Sequence, residues 1–176
     1  MDGIILVCAG AGGHAGRLNP FALVNEIRRF FSGPLILAGA ITNGAGVLAA
    51  QAMGCDGAYM GTRFIATTES LAPDRYKQML VESNAEDIVY TPFFSGVHGS
   101  YLKPSIRAAG LDPDNLPSQS VDKLQYRSRD ERPKTWKEIW GAGQGVGNIE
   151  AILPAGALVE RIVAEYEAAK AKLCLA

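Results

Sequence analysis

The chain has 176 residues, a formal net charge of −1 from 17 Lys+Arg against 18 Asp+Glu, 48% hydrophobic residues and 20 glycines. That is one globular domain's worth of chain with enough apolar residues for a core, which excludes a disordered protein. The balanced charge, with no basic block, excludes the electrostatic footprint of a nucleic-acid or anionic-membrane binder.

Residues 2–8 (DGIILVC) are a continuous apolar run ending in a glycine-rich loop, 9–16 (AGAGGHAG). Over 20–31, Phe21, Val24, Ile27 and Phe31 recur at helical spacing. Residues 34–38 (PLILA) form a second apolar run, followed at once by Gly39. Asn43 then caps a helix of small residues reaching Met53. Residues 56–60 (DGAYM) form a third run before Gly61 and Thr62. Apolar runs without alternation suit strands buried on both faces, and their alternation with helices predicts a parallel sheet.

Past Phe64 the rhythm changes. Residues 74–83 read as helix, 87–91 as a short strand, and 93–106 (FFSGVHGSYLKPSI) as a loop and a short helix. Residues 111–133 are polar with three prolines and read as an exposed connector. Another glycine-rich loop (GAGQGVG, 141–147) precedes a helix predicted over 155–173 from its apolar spacing. The division expected is 1–68, βα units carrying the loops, and 69–176, a helical and loop segment packing on them. Three βα units fall short of the roughly 250 residues of an eight-stranded barrel, so the chain reads as the C-terminal part of something larger.

Cys8, Cys55 and Cys174 are isolated, and His14 and His98 are the only histidines, so no metal site is expected. Unpaired thiols, no basic segment after Met1 and no apolar run of membrane length together point to the cytoplasm. Open strand edges lead us to expect self-association into a homo-oligomer.

In parallel α/β proteins ligands bind where strands end, and each predicted strand here ends in glycine. Gly39 and Gly61 are one βα unit apart, which places their loops side by side as a candidate phosphate cup. Plain turn chemistry explains the same glycines. Gly10, Gly12 and Ala15 fit a loose dinucleotide fingerprint, but Ala38-Gly39 stands where its acidic residue belongs. His14, among residues without bulk at a strand end, is the candidate proton-transfer group, with a loop histidine bonding backbone as the alternative. Gln144, in GAGQGVG, has an amide suited to a flavin or base edge, or is a polar loop residue. His98 reads as an ordinary loop residue and Cys8 as a small buried one. Nothing in their spacing promotes Lys103, Tyr101 or Arg63.

Taken in order, AGAGGHAG, LAGAIT (37–42), DGAYMGTRF (56–64), SGVHGSYLKPSI and AGQGVG resemble the nitronate monooxygenase family, once called 2-nitropropane dioxygenases. The resemblance runs along nearly the whole chain. It implies the C-terminal part of an FMN-dependent (β/α)₈ barrel that oxidises nitronates or nitroalkanes with O2 to a carbonyl compound and nitrite. It implies His14 as the catalytic histidine, Gly12 and Gly13 near the flavin or substrate, Gly39 with Ala40 and Gly61 with Thr62 at the phosphate, and Gln144 on the flavin. Ala40 stands where the family commonly has a second glycine, which a backbone at negative φ would accommodate. The same motifs are similar to those of flavin-dependent enoyl-carrier-protein and quinone reductases fed by a nicotinamide cofactor. A non-catalytic fragment that retains no FMN is the reading from a different class.

Overall fold

The computed structural model describes residues 2–116 and 136–174; the predicted connector therefore lies largely outside the described residues. The elements in order are β1 (Ile4–Val7), β2 (Gly13–His14), α1 (Pro20–Arg28), β3 (Leu35–Ala38), α2 (Gly44–Ala52), β4 (Gly57–Tyr59), α3 (Thr62–Ile65), α4 (Asp74–Glu82), β5 (Ile88–Thr91), β6 (Gly99–Leu102), α5 (Lys103–Ala108) and α6 (Ala155–Cys174). Single 3-10 turns occupy Ala85–Asp87 and Gln144–Asn148.

The three apolar runs become β1, β3 and β4, a parallel sheet with β3 in the centre. Ile4 lies opposite Leu35, and Ala38 lies between Val7 and Tyr59. The chain is therefore α/β with helices packed on a parallel sheet. One face of the sheet sets Leu6, Cys8, Leu35 and Leu37 against Val24 of α1, Ala50 of α2 and Cys55. The other face is not covered in the same way: Ile5, Val7 and Tyr59 stay 53%, 43% and 58% exposed. The runs predicted to be buried on both sides are thus buried on one, and the apolar residues of the second face line a cleft instead.

Helix starts follow local chemistry. The Asn19 side chain accepts from the Phe21 N–H at 2.9 Å with Pro20 at the first helical position, and Asn43 accepts from the Gly46 N–H at 2.8 Å. Asp56 fastens the sheet to α1, its carboxylate accepting from the Leu35 N–H and from Arg28 Nη2. The Leu35 N–H, and next the Arg28 guanidinium, hold its carboxyl below the usual range. Gly44 at the start of α2 meets the backbone of Ile162 and Tyr166 in α6, with no room for a Cβ, and its N–H donates to the Glu165 carboxylate at 3.0 Å.

The second half carries an antiparallel sheet ordered β2-β6-β5. β5 falls where a strand was predicted, but β6 lies in what reads from sequence as loop. Its four residues are all buried, so no alternation marks it. Leu102 joins Met79, Leu80, Val146 and Ile149 in one core cluster, while Tyr101 joins Phe93, Phe94, Ile106 and Ile139 in another. The two-residue β2 belongs by sequence to the loop after β1 and by pairing to this second sheet. That is how the two parts of the chain come to share one site.

Candidate active site

The loops leaving β1, β3 and β4 border a cleft of about 560 Å³, a size typical of small-molecule and cofactor sites. Gly12, Gly13, His14, Gly39, Ala40, Gly61 and Thr62 all line it. Gln144 does not. It is exposed, its backbone N–H donates to the Gly10 carbonyl at 2.9 Å, and its Oε1 lies 3.2 Å from where a Gly10 Cβ would be.

The glycines serve two different purposes. The segment 141–145 lies across the three loops, backbone on backbone. A Cβ on Gly12 would sit 2.7 Å from the Gly143 nitrogen, and one on Gly145 would sit 2.6 Å from the Ala40 carbonyl oxygen. These glycines permit chain to pack on chain. At Gly61 a Cβ would meet nothing within 4 Å, and at Gly13 only the Trp136 ring at 3.9 Å. Those positions open onto space. Among the described residues, no hydrogen bond uses the backbone N–H of Ala40, Gly61 or Thr62. The Thr62 hydroxyl accepts from the Gly143 N–H at 3.0 Å, which leaves its own proton to donate.

Ala40 adopts φ +53, not the negative φ expected from its methyl group. The left-handed conformation costs an alanine roughly 1–2 kcal/mol. It sits beside Gly39 at φ +147, so the turn out of β3 takes two consecutive positive-φ residues, the second with a side chain.

His14 is held by β2, where it pairs with Gly99. The next residue is fixed from both sides: the Ala15 N–H donates to the His98 carbonyl, and the Tyr90 hydroxyl donates to the Ala15 carbonyl at 2.8 Å. The His14 side chain is exposed to the cleft, with Nε2 2.8 Å from Ser95 Oγ and the Trp136 ring edge-on at 5.3 Å. Ser95 Oγ in turn lies 3.3 Å from the hydroxyl of the buried Tyr101. Trp136 is itself at φ +71, a backbone that a bulky residue rarely takes. Also in the lining, Tyr76 stacks on Trp140 and its hydroxyl donates to the Gly141 carbonyl; burial pushes its phenol up.

No Asp, Glu, Lys or Arg is among the described residues lining the cleft. Arg63, adjacent to Thr62, is 2% exposed, is not part of the lining, and has its Nη1 unpartnered among the described residues. His98 stacks on Tyr90 and is not among the residues lining the cleft. Among the described residues no cluster of His, Cys, Asp and Glu fits a metal ion, and no helix is long and apolar enough to cross a membrane. Sequence reasoning missed Ser95, Trp136 and Tyr76. SGVHG was visible as a motif, but only the pairing of β2 with β6 brings its serine to the histidine.

The chain matches the family model described as Nitronate monooxygenase over residues 1–165. It is 30% identical over 182 residues to the nitronate monooxygenase of Paraburkholderia phytofirmans, covering 95% of this chain and 50% of that protein. It is 37% identical over 179 residues to a probable nitronate monooxygenase of Staphylococcus aureus, covering 93% and 50%. Among solved structures it resembles FabK from Thermotoga maritima, with a TM-score of 0.75 at 28% identity, covering 98% of this chain and 56% of that one. It resembles equally a nitroalkane oxidase from Streptomyces ansochromogenes, with a TM-score of 0.74 at 29% identity, covering 98% and 53%. The chain spans about half the length of the curated relatives it matches. With the match reaching from the first strand into the last helix, this chain belongs to the nitronate monooxygenase family.

Proposed function

We propose that this chain is the C-terminal part of a flavin-dependent (β/α)₈-barrel enzyme, with FMN and substrate sharing the cleft. In this reading residues 1–68 are the partial barrel units that carry the loops, and 69–176 is the segment that closes over them. The reaction is oxidation of a nitronate or nitroalkane by O2 to a carbonyl compound and nitrite. One observation carries the reading: among the described lining residues, His14 is the only imidazole, and no Asp, Glu, Lys or Arg joins it. It shares the cleft with a wall of backbone that carries no charged side chain among the described residues.

The wall suits a flavin phosphate. N–H groups at Ala40, Gly61 and Thr62 that are unpartnered among the described residues, the Thr62 hydroxyl proton and the open space at Gly61 form a cradle made largely of backbone. Ile5, Val7 and Tyr59 offer an apolar floor of the kind an aromatic ring system takes. A bound flavin would supply the electron-accepting and oxygen chemistry. The chain's own part is proton handling and placement. His14 takes the α-proton of a neutral nitroalkane, or donates a hydrogen bond to the nitro group of a nitronate, which needs no base. We assign Gln144 a holding role through its backbone N–H on Gly10, in place of the flavin contact that the family pattern implies.

His14→Asn tests this. FMN retention should be unchanged, and turnover of a neutral nitroalkane should fall about 10²-fold or more while turnover of preformed nitronate falls much less. An equal loss on both substrates would remove His14 from the role of base. A nicotinamide-fed flavin reductase is the second reading, favoured by the similarity to FabK matching that to the nitroalkane oxidase. Stopped-flow reduction of bound flavin by NADH or NADPH at a rate matching turnover would select it.

A further inference from the structure

We infer that Ser95 is a positioning residue for His14: its hydroxyl holds the imidazole with the proton on Nε2 and leaves Nδ1 as the basic nitrogen. The inference rests on His14 being the base proposed above, and deepens it to a named atom. Ser95 Oγ meets four groups: His14 Nε2 at 2.8 Å, the Val97 carbonyl at 2.9 Å, the Tyr101 hydroxyl at 3.3 Å and the Val97 N–H at 3.4 Å. A serine has one proton to give. The Val97 carbonyl can only accept, so that proton goes to it. Tyr101, fully buried, needs an acceptor for its own hydroxyl proton, and Ser95 Oγ is the one within reach among the described residues. Burial raises the Tyr101 phenol, which keeps it a donor. With that proton committed, the two lone pairs of Oγ go to the Tyr101 hydroxyl and to His14, whose short contact is then an Nε2–H donating, while the Val97 N–H at 3.4 Å is too distant to compete.

No hydrogen bond among the described residues involves Nδ1, so its lone pair is the one available to a substrate proton. Trp136 packs perpendicular to the ring with centroids 5.3 Å apart, and its bulk opposes the flip that would exchange the two nitrogens. A histidine on an exposed loop samples both tautomers and several rotamers; this one is tied to β6 through Ser95 and Tyr101. The result is a pre-oriented base with no carboxylate hydrogen-bonded to it among the described residues.

The test is read on the 15N-labelled chain, with His98→Gln to assign the second imidazole. Long-range 1H–15N spectra report which nitrogen of neutral His14 carries the proton. The expected result is Nε2, with that proton exchanging with water about tenfold more slowly than in Ser95→Ala. Ser95→Thr, which keeps the hydroxyl, should restore the slow exchange. A proton on Nδ1 in the unsubstituted chain, or equal exchange with and without the Ser95 hydroxyl, would overturn the inference. The spectrum of the unsubstituted chain decides the tautomer even if Ser95→Ala fails to fold. Turnover does not enter the readout. A failure of the His14→Asn kinetics would remove the base and leave the proton's position standing, whereas a failure here leaves those kinetics untouched.

Discussion

Gly12 and Gly61 both border the cleft, but a methyl group would meet very different surroundings at the two. At Gly12 it would press on the Gly143 nitrogen and the Ala142 carbonyl carbon, at 2.7 and 2.9 Å, both backbone atoms that cannot swing away. At Gly61 it would enter open space on a backbone with negative φ. Gly12→Ala should therefore lower stability by about 1–3 kcal/mol in urea titration, with FMN retention falling only as the fold does. Gly61→Ala should change stability by less than about 1 kcal/mol and weaken FMN binding at least tenfold, because the new methyl group stands where the phosphate approaches. If Gly61→Ala binds FMN as well as the unsubstituted chain, the cradle lies elsewhere. The same contrast shows what one sequence can tell about a glycine-rich loop. AGAGGHAG and GAGQGVG announce a site, but their glycines divide between chain packing on chain and room for a ligand. Only the crossing of residues 141–145 over the strand-end loops sorts them. The place of His14 on the cleft was legible because it stands in a glycine-rich loop at a strand end. Ser95 was not, since its partner lies 81 positions away.

At the scale of elements, the parallel βα pattern could be read from three unbroken apolar runs and two asparagine caps, because both signals are local. β6 could not, because Gly99–Leu102 is buried at every position and only its antiparallel partners identify it as a strand. The crossing of α2 and α6 is likewise a matter of tertiary structure. Gly44 reads as an ordinary first-turn residue after Asn43, yet α6 passes so close that a Cβ would overlap the backbone of Tyr166 and Ile162. Gly44→Ala must push α6 away and break the bond from the Gly44 N–H to Glu165. We expect a loss of about 3 kcal/mol or more, with hydrogen exchange rising throughout α6 ahead of the parallel sheet. Gly156, in the first turn of α6 with nothing within 4 Å of its Cβ position, is the control. Gly156→Ala should be neutral or stabilising by about 0.5–1 kcal/mol. Equal behaviour of the two variants would mean the helices do not cross as described.

At the scale of the whole molecule, one question governs every assignment of chemistry: whether the half-length chain by itself holds the cofactor. The proposed phosphate cradle is drawn from the loops after β3 and β4, both within the described residues, and their spacing is fixed by the β3-β4 ladder and by the 141–145 segment, whose Gly143 N–H donates to Thr62. Every group assigned to that cradle is supplied by the described residues. The ring-binding floor is different, since Ile5, Val7 and Tyr59 remain about half exposed and can cover only one face of a flat aromatic system. Burying one face in place of two forfeits a large share of the apolar contribution while leaving the phosphate contacts intact. FMN should accordingly bind the isolated chain, but weakly, and flavin lacking the phosphate should not bind measurably. Binding to the folded state alone adds about 2.7 kcal/mol of stability at a ligand concentration a hundredfold above Kd, so a rise in Tm with FMN but not with riboflavin would report it. The visible spectrum after removal of unbound flavin gives the stricter reading. A retained, shifted flavin band would make the three loops a sufficient site and the nitronate assays worth running on this chain. A colourless chain whose Tm ignores FMN would mean that the backbone cradle alone is too weak, and that the ring's second face supplies the affinity.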